Sequence, residues 1–461
     1  MTTSKKSFNY WAEFPDTYRA EQIATIMQWI TAGESGVVIG GSGTGKSNLA
    51  GFLSSRPEVI GPYVSDDPDR YLFLHLDINS LPVLTAPLFY RGLVQALQDV
   101  AEELGSEVQQ MMQQLTQGPV DWADTFQVLT ILQKAYRLVI HQTGKKVVWL
   151  LDRFDEACRR LDAQTLNSLR SLRDQFKGQL CYVVFTRYPL ARLREPSEID
   201  EFHEIVAANS CWVGPMNERD ARWIARQMAA RLNHPFSEQE VAQLITITGG
   251  LPAFMKLGCL ALAEGALEAN GSTQRWTEQL LGRLEFRRNC EEIWADLSNE
   301  EQTLLLALSA GANENQVDRQ VLVYLRQTGL LTRPSTAQAV AFFSPIFALF
   351  VARQRGTASG KLELHPKTGA VLRDGIPLEI ELTTHEDRLL TYLLEHAGEI
   401  CERDPLMLAV WPEDKVYGEI SDESLSQLIK RLRQKIEPDP RKPAYIQTVR
   451  GRGYRFVQPG E

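Results

Sequence analysis

The stretch Gly40-Gly41-Ser42-Gly43-Thr44-Gly45-Lys46-Ser47 decides how the first half of this chain is read. It fits the pattern GxxxxGK[ST], and its flanks supply what such a loop needs. Gly36-Val37-Val38-Ile39 enters it as an apolar strand, and Asn48-Leu49-Ala50-Gly51-Phe52-Leu53 leaves it as a helix. The glycines let the backbone curl so that successive N–H groups point at phosphate oxygens, at the positive end of the following helix. Lys46 then reaches the β and γ phosphates and Ser47 ligates a metal. The expectation is a nucleoside triphosphate site holding ATP and Mg²⁺. Its cofactor-binding residues are Gly40, Gly41, Ser42, Gly43, Thr44, Gly45, Lys46 and Ser47.

Three later stretches extend this site. Lys145-Lys146-Val147-Val148-Trp149-Leu150-Leu151-Asp152 is a buried-strand pattern ending in a carboxylate, a second metal-associated group beside Ser47. Asp155 and Glu156 follow just beyond the strand tip, where one carboxylate can orient an attacking water. Leu180-Cys181-Tyr182-Val183-Val184-Phe185 ends in Thr186-Arg187. In a parallel α/β sheet the carboxyl ends of the strands face the ligand, so Arg187 is a candidate γ-phosphate sensor. Asp152, Asp155, Glu156 and Arg187 form the candidate catalytic set. Gly249-Gly250-Leu251-Pro252 lies between two helical stretches and is too short to carry chemistry alone.

The order GGSGTGKS, LLDRFDEA, VVFTRYP and TGGLP resembles the STAND class of signal-transduction ATPases, relatives of the AAA+ enzymes, over roughly residues 8–350. The resemblance implies that Pro252 belongs to a helical lid and lies near the nucleotide. It also implies that Phe14-Pro15-Asp16-Thr17-Tyr18-Arg19-Ala20-Glu21 corresponds, loosely, to the segment touching adenine. One position departs: the residue after the metal-associated aspartate is usually small in that class, and here it is Arg153, which bears on the geometry of Asp155 and Glu156.

The last hundred residues read differently. Leu382 to Leu394 carries apolar residues at helical spacing behind a threonine cap, and a second amphipathic stretch runs from Asp404 to Trp411. A third runs from Asp422 to Ile436, with Leu425, Leu428, Ile429, Leu432 and Ile436 on one face and Ser426, Gln427, Lys430, Arg431, Gln434 and Lys435 on the other. Tyr445 to Phe456 alternates around a glycine-bearing turn, a hairpin pattern. From Lys430 to Arg455 there are nine Lys/Arg against two Asp/Glu, in a chain of formal net charge −9. A local basic patch on an acidic protein is the electrostatic footprint of nucleic-acid binding.

This segment closely resembles the winged-helix DNA-binding domain of OmpR/PhoB-type response regulators from residue 362 to 457, through LTTHEDRLLTYLLEHAGEICERDPLMLAVWP, SDESLSQLIKRLRQKIEPDP and YIQTVRGRGYRF. The resemblance implies that the third helix lies in the major groove of double-stranded DNA and that the hairpin wing reaches the adjacent minor groove. Ser426, Gln427 and Lys430 then become candidate base readers, and Arg431, Arg433, Arg450 and Arg452 candidate phosphate or wing contacts. The arrangement departs from that family in that no phospho-acceptor receiver domain precedes the segment.

At 461 residues and 44% hydrophobic content the chain has room for three or four domains. Composition places a P-loop NTPase domain at 1–215, a helical lid at 216–296, a winged-helix-like unit at 297–352, a polar linker at 353–361 and the DNA-binding domain at 362–461. The six cysteines are scattered with no CxxC, which points to reduced thiols in a bacterial-type cytoplasm and away from disulfides or structural zinc. No run approaches the roughly 18 apolar residues of a membrane helix. The expected function is an ATP-switched transcription regulator. In it a slow ATPase sets a homo-oligomer, an unidentified inducer biases the switch, and repeated promoter half-sites are the target. The alternative is an AAA+-like DNA-remodelling ATPase, such as a replication initiator or transposition helper. Against it, no arginine finger is evident and the TGGLP helix carries no arginine up to Leu262.

Overall fold

The computed structural model describes residues 10–458 apart from 269–270, 333–339, 360, 366–368, 374–375, 379, 413–421, 438–439, 441–442 and 450. The chain divides into two compact units: Met1–Leu304 with Asn313–Ala348, and Leu305–Ala312 with Leu349–Glu461.

The first unit is built on five parallel strands, β1 (Gly36–Ile39), β2 (Tyr71–Asp77), β3 (Lys146–Asp152), β4 (Leu180–Thr186) and β5 (Ser210–Trp212), in the order β2-β3-β4-β1-β5. β1 and β4 are buried throughout and β3 at every position after Lys146, because helices cover both faces of the sheet. That is why these strands read as continuous apolar runs rather than alternating ones. The register pairs Asp77 with Asp152 and Ile39 with Thr186, so the polar groups at the strand ends collect along one carboxyl edge. The apolar core runs from Val37 through Trp149 and Tyr182 to Phe202. Five helices follow the sheet, Glu218–Leu232, Glu238–Thr248, Pro252–Ala263, Thr273–Gly282 and Leu284–Ala295, where a lid is expected. Asn217 and Ser237 cap the first two through their side-chain oxygens.

The C-terminal segment has a three-stranded antiparallel sheet, three helices (Thr384–Glu395, Arg403–Val410 and Asp422–Ile436) and a second sheet whose last two strands, Ile446–Val449 and Gly453–Phe456, form the hairpin. Leu425, Leu428, Ile429, Leu432 and Ile436 are all buried, as the helical spacing predicts. Thr383 and Glu386 form a capping box at the start of the first helix. The helix Pro345–Ser359 runs through most of the segment expected to be a linker. Small and polar residues raise no barrier to helix when the preceding turns already supply one, and the single Gly356 costs about 1 kcal/mol at most. All six cysteines are buried and free. Among the described residues no helix is long and apolar enough to cross a membrane.

Candidate nucleotide-binding site and nucleic-acid interface

The loop after β1 turns into the helix Lys46–Ser55 through two left-handed glycines, Gly43 at φ 75° and Gly45 at φ 91°. Residues with a Cβ rarely adopt this conformation, so the pattern's glycines are required by the backbone itself. A Cβ on Gly43 would also stand 2.8 Å from the Cβ of Ala253, and the N–H of Ala253 donates to the Gly43 carbonyl at 3.3 Å. The first turn of the helix Pro252–Ala263 therefore rests directly on the loop, with Pro252 beside Gly45.

The loop from Ser42 to Ser47, Asp152, Asp155, Glu156, Arg187 and Pro252 all line one cavity of about 660 Å³. That volume lies within the range of small-molecule sites. Gly40 and Gly41 stand just behind it, where their carbonyls accept from the Lys46 ammonium, the Gly41 contact at 3.1 Å. Burial pulls the Lys46 pKa down to about 8, against the opposing pull of Asp155 and Asp152.

Asp152 is almost fully buried. Burial raises its pKa, but His75, the Ser47 hydroxyl and the N–H of Arg153 outweigh this and hold the carboxyl below its usual range. His75 Nε2 lies 3.9 Å from Asp152 Oδ2, and the N–H of Arg153 donates to Asp152 Oδ1 at 2.9 Å. The two residues expected to share a metal are thus in contact. Arg153 itself adopts the left-handed conformation at φ 55°. Glycine takes that conformation easily and Asn or Asp less so, whereas an arginine carries strain of about 1 kcal/mol or more. Its guanidinium turns out of the way to pair with Asp77 at 3.6 Å.

Asp155 and Glu156 separate in role. Both oxygens of Asp155 accept the backbone N–H of Arg187, at 2.8 and 3.1 Å, so this carboxylate fixes the tip of β4. Burial raises its pKa. Glu156 is more exposed and faces Arg159 at 3.6 Å and Arg160 at 4.0 Å. The Arg187 side chain is half-exposed, with Nη1 3.8 Å from Asp296 Oδ1, an oxygen that also accepts from the Tyr188 hydroxyl at 2.7 Å.

Sequence reading missed several contributors. Lys256 and Arg159 line the same cavity. Arg19, buried and left-handed at φ 50°, donates to the carbonyls of Thr44 at 2.7 Å, Gly214 at 2.9 Å and Pro215 at 3.1 Å, while its own N–H donates to Asp220 at 3.0 Å. It ties the loop to the helix Glu218–Leu232. The segment Phe14–Glu21 was the only signal, and it pointed at a ligand rather than at this clasp.

In the C-terminal domain, Ser426, Gln427, Lys430 and Arg431 are exposed on the helix Asp422–Ile436, and Arg452 is exposed in the hairpin turn. Arg450 lies outside the described residues. Arg433 is different: it donates to the Ile446 carbonyl at 2.6 and 3.1 Å and to the Thr448 hydroxyl at 2.9 Å. Glu437, one turn later, accepts the N–H groups of Ala444, Tyr445 and Ile446. One helix face thus grips Ile446 by both its carbonyl and its amide and fixes the hairpin against the helix.

Residues 378–456 match the family of transcriptional regulatory proteins, C-terminal. Among solved structures, the DNA-binding domain of RstA from Klebsiella pneumoniae, bound to the RstA box, is 32% identical over 22% of this chain and 94% of that chain, TM-score 0.19. A Walker-type ATPase of Pyrococcus abyssi is 14% identical over 73% of this chain and 95% of that one, TM-score 0.45. A STAND protein with a tetratricopeptide repeat sensor from Pyrococcus horikoshii is 15% identical over 91% of this chain and 53% of that one, TM-score 0.30. Residues 378–456 of this chain belong to the transcriptional regulatory protein C-terminal family, and they follow a region built on a five-stranded parallel sheet.

Proposed function

We propose that this protein is an ATP-switched transcription regulator, in which nucleotide state in the first unit controls sequence-specific DNA binding by the C-terminal winged helix. The observation that carries this reading is the convergence of loop, strand-tip and lid residues on one cavity in a chain that also carries a regulator's DNA-binding domain. In this reading the P-loop NTPase domain spans 1–215, the helical lid 216–296, the winged-helix-like unit 297–352, the linker 353–361 and the DNA-binding domain 362–461.

The residues present fit a magnesium nucleotide. Gly40 to Gly45 direct backbone N–H groups at the phosphates, Lys46 exchanges loop carbonyls for phosphate oxygens, and Ser47 with Asp152 would hold Mg²⁺. The metal, when bound, would draw charge from the phosphates. Glu156 is the better placed of the acidic pair to orient water, because Asp155 is engaged by Arg187. Arg187 reads the γ-phosphate by leaving Asp296. Turnover is slow, as long-lived switch states require.

On DNA, Ser426, Gln427 and Lys430 read bases from the major groove, while Arg431, Arg450 and Arg452 meet phosphates. Arg433 aligns the wing. One winged helix buries a small interface, so binding uses several copies on half-sites about one helical turn apart, assembled through the ATPase unit with an inducer. Sequencing genomic fragments retained by the purified protein with and without MgATP tests this reading. A shared repeated motif enriched with nucleotide is expected. Random fragments in both conditions contradict it.

A further inference from the structure

Another cavity, of about 390 Å³, shares no lining residue with the one beside the Gly40–Ser47 loop. That volume suits a small molecule. Its walls include Arg19 and Glu21 at the start of the helix Ala20–Ala32, and Met216 and Asp220 at the entry to the helix Glu218–Leu232. Gln327 and Phe343, on either side of the strand pair Leu331–Thr332 and Ala341–Phe342, complete them. Asp220 is fully buried, yet only one of its carboxylate oxygens is used: Oδ2 accepts the N–H of Arg19 at 3.0 Å, while Oδ1 accepts no hydrogen bond. Arg219 Nε stands 3.7 Å from Oδ1, but that side chain is half-exposed and donates to the Thr17 carbonyl at 2.6 Å.

The charges in the wall decide what can fill it. A buried carboxylate oxygen without a donor is costly, and a donor that reaches it removes that cost. Glu21 adds a second carboxylate, exposed and without an ion pair among the described residues. Arg19, the one cation among the described residues of the wall, already donates to the carbonyls of Thr44, Gly214 and Pro215, so little of its charge is left for an anion. Met216 and Phe343 are buried apolar side chains. Two carboxylates beside apolar side chains match two ammonium groups joined by an alkyl chain. We infer that this cavity binds an aliphatic diamine or polyamine, with one ammonium donating to Asp220 Oδ1 and another facing Glu21. Arg19 links Asp220 to the Thr44 carbonyl, so the occupant stands one residue away from the loop. This site goes beyond the nucleotide reading and does not rest on it.

The test titrates putrescine and spermidine calorimetrically into the nucleotide-free full chain, with butanediol as the uncharged counterpart of putrescine. Both amines should bind and butanediol should not. Asp220→Asn keeps an oxygen for the Arg19 N–H and replaces the free oxygen with an amide group. It should weaken both amines by about tenfold or more, the loss typical of one hydrogen bond to a charged group. Gln327→Lys, at an exposed position, sets a fixed ammonium at the cavity wall and should weaken both amines as much with thermal unfolding unchanged. It decides the matter even where Asp220→Asn fails to fold. The site is overturned by a wild-type protein that takes up neither amine, by a folded variant that binds both as tightly as wild type, or by butanediol binding as well as putrescine. With no nucleotide present, none of these outcomes bears on the nucleotide reading.

Discussion

The cavity beside the Gly40–Ser47 loop and the helix Asp422–Ile436 both concentrate positive charge, yet they hold it in opposite ways. In the cavity all the cations but Lys256 are tied to a carboxylate or a backbone carbonyl. On the helix Asp422–Ile436, Lys430 and Arg431 are exposed and carry no ion pair among the described residues, while Arg433 and Lys435 are drawn inward to the hairpin and to Glu386. A paired cation must exchange partners before it can bind an anion, so the cavity can change conformation when it is filled. A solvated cation loses only counter-ions, so the helix supplies affinity that depends on salt.

The largest effect should come from the cavity. Lys46→Ala removes the group that bridges loop and phosphates, and MgATP affinity should fall by about a hundredfold or more. Titration with a slowly hydrolysed ATP analogue checks this, and unchanged affinity would sink the phosphate-loop assignment. Glu156→Gln should leave affinity intact and slow hydrolysis by about a hundredfold, the usual contribution of a positioned proton acceptor. Steady-state phosphate release reads this directly. Normal turnover in that variant would hand the role to another group.

The helix divides its arginines, and a smaller pair of effects follows. Arg433→Ala loses three hydrogen bonds to the hairpin and should destabilise the winged helix by about 2 kcal/mol. Arg431→Ala should leave thermal unfolding unchanged and make the salt dependence of DNA binding shallower by about 0.9 in the log–log slope. Unfolding curves and binding at several salt concentrations separate the two. Equal stabilities, or equal salt slopes, would remove the distinction between the arginine that shapes the interface and the arginine that touches DNA.

Local signals carried most of what the sequence made legible. The loop from Gly40 to Ser47, the strand ending at Asp152 and the apolar face from Leu425 to Ile436 are each encoded within a few residues, and each stands in the structure where its pattern places it. What escaped depends on distant partners. Arg19 reaches Thr44, Gly214 and Asp220, and no spacing rule links those positions. Arg433 sits on the charged face with the same periodicity as Arg431, and only the hairpin thirteen residues away separates their roles. Lys256 follows a short TGGLP turn, and its place in the cavity depends on how the lid helix meets the loop. The helix through most of the expected linker escaped for a related reason: composition registers the polar residues after Val351 but not the helix already propagating from Pro345.

The central claim is that the two units exchange free energy, and linkage provides the most direct measurement. With an operator fragment recovered from the retained DNA, operator affinity is measured with and without a slowly hydrolysed ATP analogue, and analogue affinity with and without the operator. A switch requires that each ligand tighten the other by the same factor, because the coupling is a single free energy. The account predicts matching gains in both directions, accompanied by a shift from monomer to oligomer. Affinities that stay the same in both directions would mean that the ATPase-like unit and the winged helix are merely joined, and would contradict it.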